Sequence, residues 1–166
     1  MTQNAGRAFV FGDNVDTDTL APGLYMKKPI EEMARHTLEA LDPGFATTVR
    51  AGDIVVGGDN FGMGSSREQA VMTLRALGVA AVIARGFAGL FFRNALNLGL
   101  PALVCAEAQK IRAGDRLAVA PEQGRIDNLT SGETYACEPI PPHLVEMIRD
   151  GGLLPHLEKK LKRRSA

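Results

Sequence analysis

An α/β fold with mixed parallel and antiparallel strands is what this sequence predicts, and three observations carry the prediction. The first two thirds alternate short β-branched runs with helical patterns, the mark of βαβ units and a parallel sheet. From Asp115 onward, strand-like runs follow one another through glycine-containing turns, as antiparallel hairpins do. The chain's 166 residues, 45% of them apolar, suffice for one substantial core and leave little for a second. The expected architecture is a compact β/β/α sandwich forming one domain over 1–166, with a basic helical tail from about 152.

The elements follow in order. Residues 7–11 form a first strand, followed by the polar loop Gly12-Asp13-Asn14-Val15-Asp16-Thr17-Asp18. A helix is expected from Pro29, a residue suited to the first helical position, to just before Pro43. The β-branched run at 53–56, bounded by Gly52 and Gly57, reads as a buried strand. A helix over 67–77 then places Ala70, Leu74 and Leu77 on one face, with Gly78 as its stop. A strand at 80–84, a helix at 89–97 with Leu90, Asn94 and Asn97 on one face, and a strand at 101–104 complete the alternating part. Strands at 116–120, 125–129 and 133–137 are joined by Glu122-Gln123-Gly124 and Ser131-Gly132. A helix begins at Pro142 and stops at Gly151. The tripeptide Gly-Asp-Asn recurs at 12–14 and 58–60, each time after a strand, and could form the same turn twice.

Composition removes several function classes. Nineteen basic and nineteen acidic residues cancel, which argues against nucleic acid or an anionic membrane as the main partner and favours a small substrate. The basic run 159–164 suits a solvated helix C-terminus. Two cysteines without a CxxC make neither a disulfide framework nor a metal site, and a reducing cytoplasm is the natural compartment. His36, His143 and His156 stand at no metal-ligand spacing. No apolar run is long enough to cross a bilayer.

Residues 58–70 are the most informative. A strand runs into a glycine turn, Gly62-Met63-Gly64, that delivers Ser65, Ser66 and Arg67 at a helix start. Gly62 and Gly64 permit positive φ and close approach to a ligand. Ser65 with Glu68, or Ser66 with Gln69, fits a capping box, so the helix should begin at one of the serines. Free N–H groups of the first turn, the helix dipole and the Arg67 guanidinium would then converge on an anion. The turn lacks the third glycine of the dinucleotide fingerprint, the Lys-Ser/Thr pair of the P-loop and the G-x-S-x-G of the nucleophile elbow. On local pattern alone, helix capping plus a carboxylate pair for Arg67 explains these residues equally well. Asp16-Thr17-Asp18 is by itself an ordinary polar loop.

Four blocks together go further: 11–18, then Tyr25-Met26-Lys27, then 57–68, then Phe87-Ala88 with 92–101. In this order and spacing, over roughly residues 7–140, the chain resembles the small subunits of 3-isopropylmalate dehydratase, which correspond to the swivelling domain of aconitase. The resemblance implies the aconitase-type swivelling fold and a hydro-lyase that moves a hydroxyl between neighbouring carbons of a hydroxy acid through an alkene. It implies Ser65 as the catalytic base, and Ser66, Arg67 and Lys27 as substrate-binding residues. Asp16, Thr17, Asp18, Gly62 and Gly64 form the supporting loops. It also implies a [4Fe-4S] cluster carried by a partner large subunit, this chain binding no metal or cofactor itself. The substrate expected is 3-isopropylmalate or 2-isopropylmalate, in leucine biosynthesis. Homoaconitase or 2,3-dimethylmalate dehydratase small subunits are alternatives, since Lys27 suits a further carboxylate, and Met63 and Gln69 stand where cysteine and histidine are frequent. A non-catalytic anion- or RNA-binding module remains the reading from another class.

Overall fold

The structure, a computed structural model, describes residues 5–165. Strands β1 (Gly6–Val10), β2 (Ile54–Val56), β3 (Ala81–Ala84) and β4 (Ala102–Val104) lie parallel in the order β4-β3-β2-β1. Ala8 sits opposite Ile54, Ile54 opposite Ala81, and Val82 opposite Ala102. Strands β5 (Arg116–Ala120), β6 (Arg125–Asn128) and β7 (Thr134–Ala136) continue the sheet as antiparallel hairpins. They join it through the pairs Gly6 with Leu117 and Arg7 with Arg116, extended by bonds of Ala8 to Gly114 and Asp115. This short seam lets the antiparallel half turn over the parallel half.

The alternation of side chains then builds two cores. Ala8, Ile54, Val56, Ile83 and Leu103 project from one face of the parallel strands onto Leu117, Ile126 and Tyr135 of the antiparallel ones. Val55, Val82, Ala84 and Ala102 project from the other face onto the helices. These layers are the expected β/β/α sandwich. Each parallel neighbour follows its predecessor in sequence, so every crossover between parallel strands carries its helices to the same face, as a uniform handedness of crossover requires.

The crossover from β1 to β2 departs from expectation. In place of one long helix there are α1 (Thr17–Leu20), a 3-10 turn at Gly23–Tyr25, α2 (Ile30–Ala34) and α3 (Phe45–Thr48). Pro29 is the N-cap of α2 and not its first helical residue. The expected helix fails beyond Ala34 because Leu38 takes φ +61, where its N–H reaches the Thr19 carbonyl at 2.9 Å. Helix α1 arises inside the expected loop, capped by Asp16, whose carboxylate accepts from the Thr19 N–H at 2.7 Å.

Helix α4 (Gln69–Ala76) starts later than the capping-box pattern suggests: its N-cap is Glu68, and no side chain caps it. Helix α5 (Gly89–Asn97) has the expected bounds, but buries Phe91, Ala95 and Leu96 while Leu90 is exposed. Helix α6 (Pro142–Arg149) is followed by α7 (Leu153–Arg164), the basic tail, whose last turn carries the exposed Lys162, Arg163 and Arg164.

Candidate active site

The carboxyl ends of β1, β2 and β3 open into three loops, the position where parallel α/β sheets present ligand sites. The two Gly-Asp-Asn turns pair with each other. The Gly58 N–H donates to the Gly12 carbonyl at 3.1 Å, the Asp59 N–H to the Asp13 carboxylate at 2.7 Å, and the Asn14 N–H to the Asp59 carbonyl at 2.8 Å. Asn60 Nδ2 lies 3.3 Å from Asn14 Oδ1, and Asn14 and Asn60 share the left-handed conformation at φ 59 and 56. Asparagine tolerates that region because its short polar side chain bonds locally. The repeated tripeptide is therefore one device used twice, which ties the loop after β1 to the loop after β2.

Beyond the paired turns the loops remain joined. The Gly62 N–H donates to the Val15 carbonyl at 2.7 Å and the Thr17 N–H to the Met63 carbonyl at 2.9 Å. The third loop closes from the other side, with the Phe61 N–H on the Gly86 carbonyl at 3.0 Å and the Ala88 N–H on the Phe61 carbonyl at 2.9 Å. Under this junction Phe61 meets Phe91 edge-on, with ring centroids 5.3 Å apart, and Phe87 lies parallel to Phe91. Gly62 stands at φ +85, and a Cβ there would fall 2.2 Å from Phe91 Cγ. Only glycine fits this backbone against that ring.

Ser65 and Ser66 emerge from this frame exposed. Among the described residues neither hydroxyl has a hydrogen-bond partner, and no amide of residues 64–69 donates to a backbone carbonyl. The turn therefore presents two free hydroxyls and a run of free N–H groups at the positive end of α4, donors of the kind that suit an anion.

Arg67 is held more firmly. Its Nη1 donates to Asp18 Oδ1 and to the Ala21 carbonyl, each at 3.0 Å. The same Asp18 oxygen accepts the Gly23 N–H at 2.9 Å. The Gly23 amide first, and Arg67 second, hold the Asp18 carboxyl below the ordinary carboxylate range, so it is ionised at neutral pH. Asp18 thus fixes the guanidinium beside the serines, and Asp16, as the cap of α1, fixes Asp18.

Ser65, Ser66, Arg67, Asp16, Thr17, Asp18, Gly62 and Gly64 are brought together by these loops, with Thr17 and Gly62 buried beneath the others. Lys27 is not joined to it by any hydrogen bond or ion pair; it stands exposed, four residues beyond Gly23, on the turn that leaves Arg67. The residues that sequence reasoning did not single out are Asp13, Asn14 and Asn60. The repeated Gly-Asp-Asn was their signal.

The chain's own residues do not fit an iron-sulfur cluster. Cys105 and Cys137 are buried in the core between the parallel and antiparallel strands, away from the serine turn, and desolvation pushes both thiols up, Cys137 to about 11. A cluster ligand needs the opposite shift. Among the described residues no group of three or more His, Cys, Asp or Glu could hold a metal ion, and no helix is long and apolar enough to cross a membrane.

With this geometry in place, comparison with known proteins is informative. Residues 17–108 match the aconitase C-terminal domain. The chain is 49% identical over 162 residues to "3-isopropylmalate dehydratase small subunit 1" of Archaeoglobus fulgidus, covering 96% of this chain and 99% of that one. It is 46% identical over 159 residues to the "Isopropylmalate/citramalate isomerase small subunit" of Methanocaldococcus jannaschii, covering 94% of each. A crystal structure of a 3-isopropylmalate dehydratase from the same organism superposes with TM-score 0.91 at 38% identity, covering 97% of this chain and 96% of that one.

Proposed function

The chain belongs to the family of 3-isopropylmalate dehydratase small subunits, hydro-lyases of the aconitase type, and from that membership we infer that it serves leucine biosynthesis as one half of a heteromeric enzyme acting on 3-isopropylmalate. In this reading Ser65 is the base. Arg67 and Ser66 bind a substrate carboxylate, and Lys27 faces the substrate's variable group.

The observation that carries the reading is the pair of free serine hydroxyls set before the unpaired amides of residues 64–69, with Arg67 pinned at their side. Serine is a weak base unless its alkoxide is stabilised, and these donors supply the field that does so. In the dehydration direction, Ser65 takes the proton from the carbon next to a carboxylate. The C–H electron pair becomes the second bond of the alkene as hydroxide leaves the neighbouring carbon. Hydration runs the same path backwards, Ser65 returning the proton. Arg67 supplies a charge-assisted hydrogen bond that keeps the acidified carbon against Ser65.

The exposure of Ser65 and Ser66 supports a reading in which this chain forms one wall of the site. A large subunit closes it and excludes water, and the iron-sulfur cluster of such enzymes is assigned to that partner, since the thiols of this chain do not suit one.

The test is Ser65→Ala, co-produced with the large subunit and cluster-loaded. Turnover of 3-isopropylmalate should fall by at least about 100-fold, the scale on which one preorganised catalytic group acts, while the melting temperature stays at the wild-type value. Wild-type turnover by the variant would overturn the assignment.

A further inference from the structure

We propose that His36 is the positioning residue of the Tyr25-Met26-Lys27 turn, holding by ring stacking the segment that reads the substrate's variable group; this rests on the function proposed above. The Tyr25 and His36 rings lie 3.7 Å apart between centroids and 7° from parallel. His36 Nδ1 is 2.8 Å from Glu39 Oε2, a contact that fixes the plane of the imidazole.

The turn has little else to fix it at that end. Its backbone bonds are local: the Tyr25 N–H donates to the Pro22 carbonyl, the Met26 N–H to the Gly23 carbonyl and the Lys28 N–H to the Tyr25 carbonyl. Tyr25 and Met26 rest against the core between sheet and helices only as partly buried side chains. Its start is gripped by Asp18, which accepts the Gly23 N–H at 2.9 Å. Two residues on, Tyr25 is gripped by His36. Lys27 follows both anchors and is left exposed.

The segment that presents His36 is itself held at a cost. Leu38 is fully buried at φ +61, and the Thr37 hydroxyl is buried with no hydrogen-bond partner. A branched residue in the left-handed region and an orphaned hydroxyl persist only where the surroundings over-determine them. Here the Leu38 N–H is bonded to the Thr19 carbonyl of α1, the helix that also carries Asp18. The anchor at Tyr25 and the anchor at Gly23 are thus built on the same short helix. Arg67 and Lys27 are kept in register through it.

The experiment uses the complex with the large subunit, cluster-loaded, and 3-isopropylmalate as substrate. His36→Ala should raise KM about five- to tenfold, as expected for one lost aromatic pair, with kcat within about twofold. His36→Phe keeps a flat ring and should bring KM to within about twofold of wild type. If His36→Ala does not fold, His36→Gln, which keeps a polar end without a stacking ring, carries the same expectation. A readout independent of turnover is available because the chain has two tyrosines and no tryptophan. In nuclear magnetic resonance spectra of the isolated chain, His36→Ala should shift the ring protons of Tyr25 and leave those of Tyr135 unmoved.

An unchanged KM in His36→Ala, a fall in kcat at unchanged KM, or a His36→Phe variant as impaired as His36→Ala would overturn the proposal. So would unmoved Tyr25 signals. Ser65→Ala run alongside separates the two inferences. If that variant is active, or wild type does not turn over 3-isopropylmalate, the functional reading fails; if Ser65→Ala is inactive and His36→Ala behaves as wild type, only the role of His36 fails.

Discussion

Gly62→Ala tests whether the serine turn is held by its packing against Phe91. The added Cβ would lie 2.2 Å from Phe91 Cγ, 2.3 Å from its Cβ and 2.7 Å from its Cδ2, so ring or backbone must retreat by more than about 1 Å to reach ordinary contact. Phe91 cannot simply swing away: it is 2% exposed, edge-on to Phe61 and parallel to Phe87. Overpacking of this kind costs about 1–3 kcal/mol, and alanine at φ +85 about 1–2 more. A total of about 2–5 kcal/mol corresponds, in a chain of this size, to a fall in melting temperature of roughly 5–15 °C. The backbone shift would also pull the Gly62 N–H from the Val15 carbonyl and move Ser65 relative to Arg67, so kcat should fall even at temperatures where the variant is folded. Circular dichroism melting and steady-state assay of the complex give both readings. Gly12→Ala is the control, since its Cβ would meet nothing within 4 Å. A Gly62→Ala melting temperature within about 2 °C of wild type would refute the packing argument.

Further outcomes follow from the same geometry. Arg67→Lys replaces a guanidinium bonded to both Asp18 and the Ala21 carbonyl by a single ammonium, and kcat/KM should fall about 10- to 100-fold with little change in melting temperature; a fall below threefold would sink this role for Arg67. The buried Asp53 carboxylate accepts the Arg7 N–H at 3.0 Å and the Arg50 N–H at 2.8 Å, so Asp53→Ala should cost about 2–4 kcal/mol in a denaturant titration. Asp18 is held low by the Gly23 amide and Arg67, and Asp150 by His156 and Lys159; the folded state therefore binds fewer protons than the unfolded chain at acid pH. The stability they contribute is complete above about pH 4 and lost as pH falls through their lowered values. An Asp18→Asn, Asp150→Asn variant whose acid unfolding coincides with wild type would contradict it. Cys105 and Cys137, buried with raised thiols, should resist a thiol reagent at pH 8 until the chain is unfolded, and rapid native labelling would count against their burial.

Strands and the later helices were legible because their signals are local: β-branched runs for β2 and β3, Pro142 at the start of α6, and for α5 the bounds Gly89 to Asn97, although not its buried face. The crossover before β2 was not, because what ends α2 is a long-range bond. Leu38 leaves helical conformation to reach Thr19, and nothing in residues 35–42 announces a partner so far back in the chain. Asp18 reads as a loop residue for the same reason, because it binds an arginine 49 positions away. Asp16 does so because the helix it caps is only four residues long, too short to show a period. The glycine turn that delivers the serines was legible, but whether the serines are spent on the helix is something spacing cannot decide.

That choice explains why a strong local rule fails at Ser65 and Ser66. Both capping-box patterns are present, and either would stabilise α4 by about 1 kcal/mol. The structure uses neither: α4 begins at Gln69 behind an uncapping Glu68. A serine that accepted from the N3 amide would have its oxygen occupied and one donor of the cradle consumed, leaving both a weaker base and a weaker anion site. The turn is held instead from behind, by the paired Gly-Asp-Asn turns, the Gly62 bond to Val15 and the Phe61-Phe87-Phe91 cluster. Departures from local preference are expected at functional sites and compensated by their surroundings. On this argument a variant that restores capping, by lengthening α4 back to Ser66, gains helix stability and loses turnover.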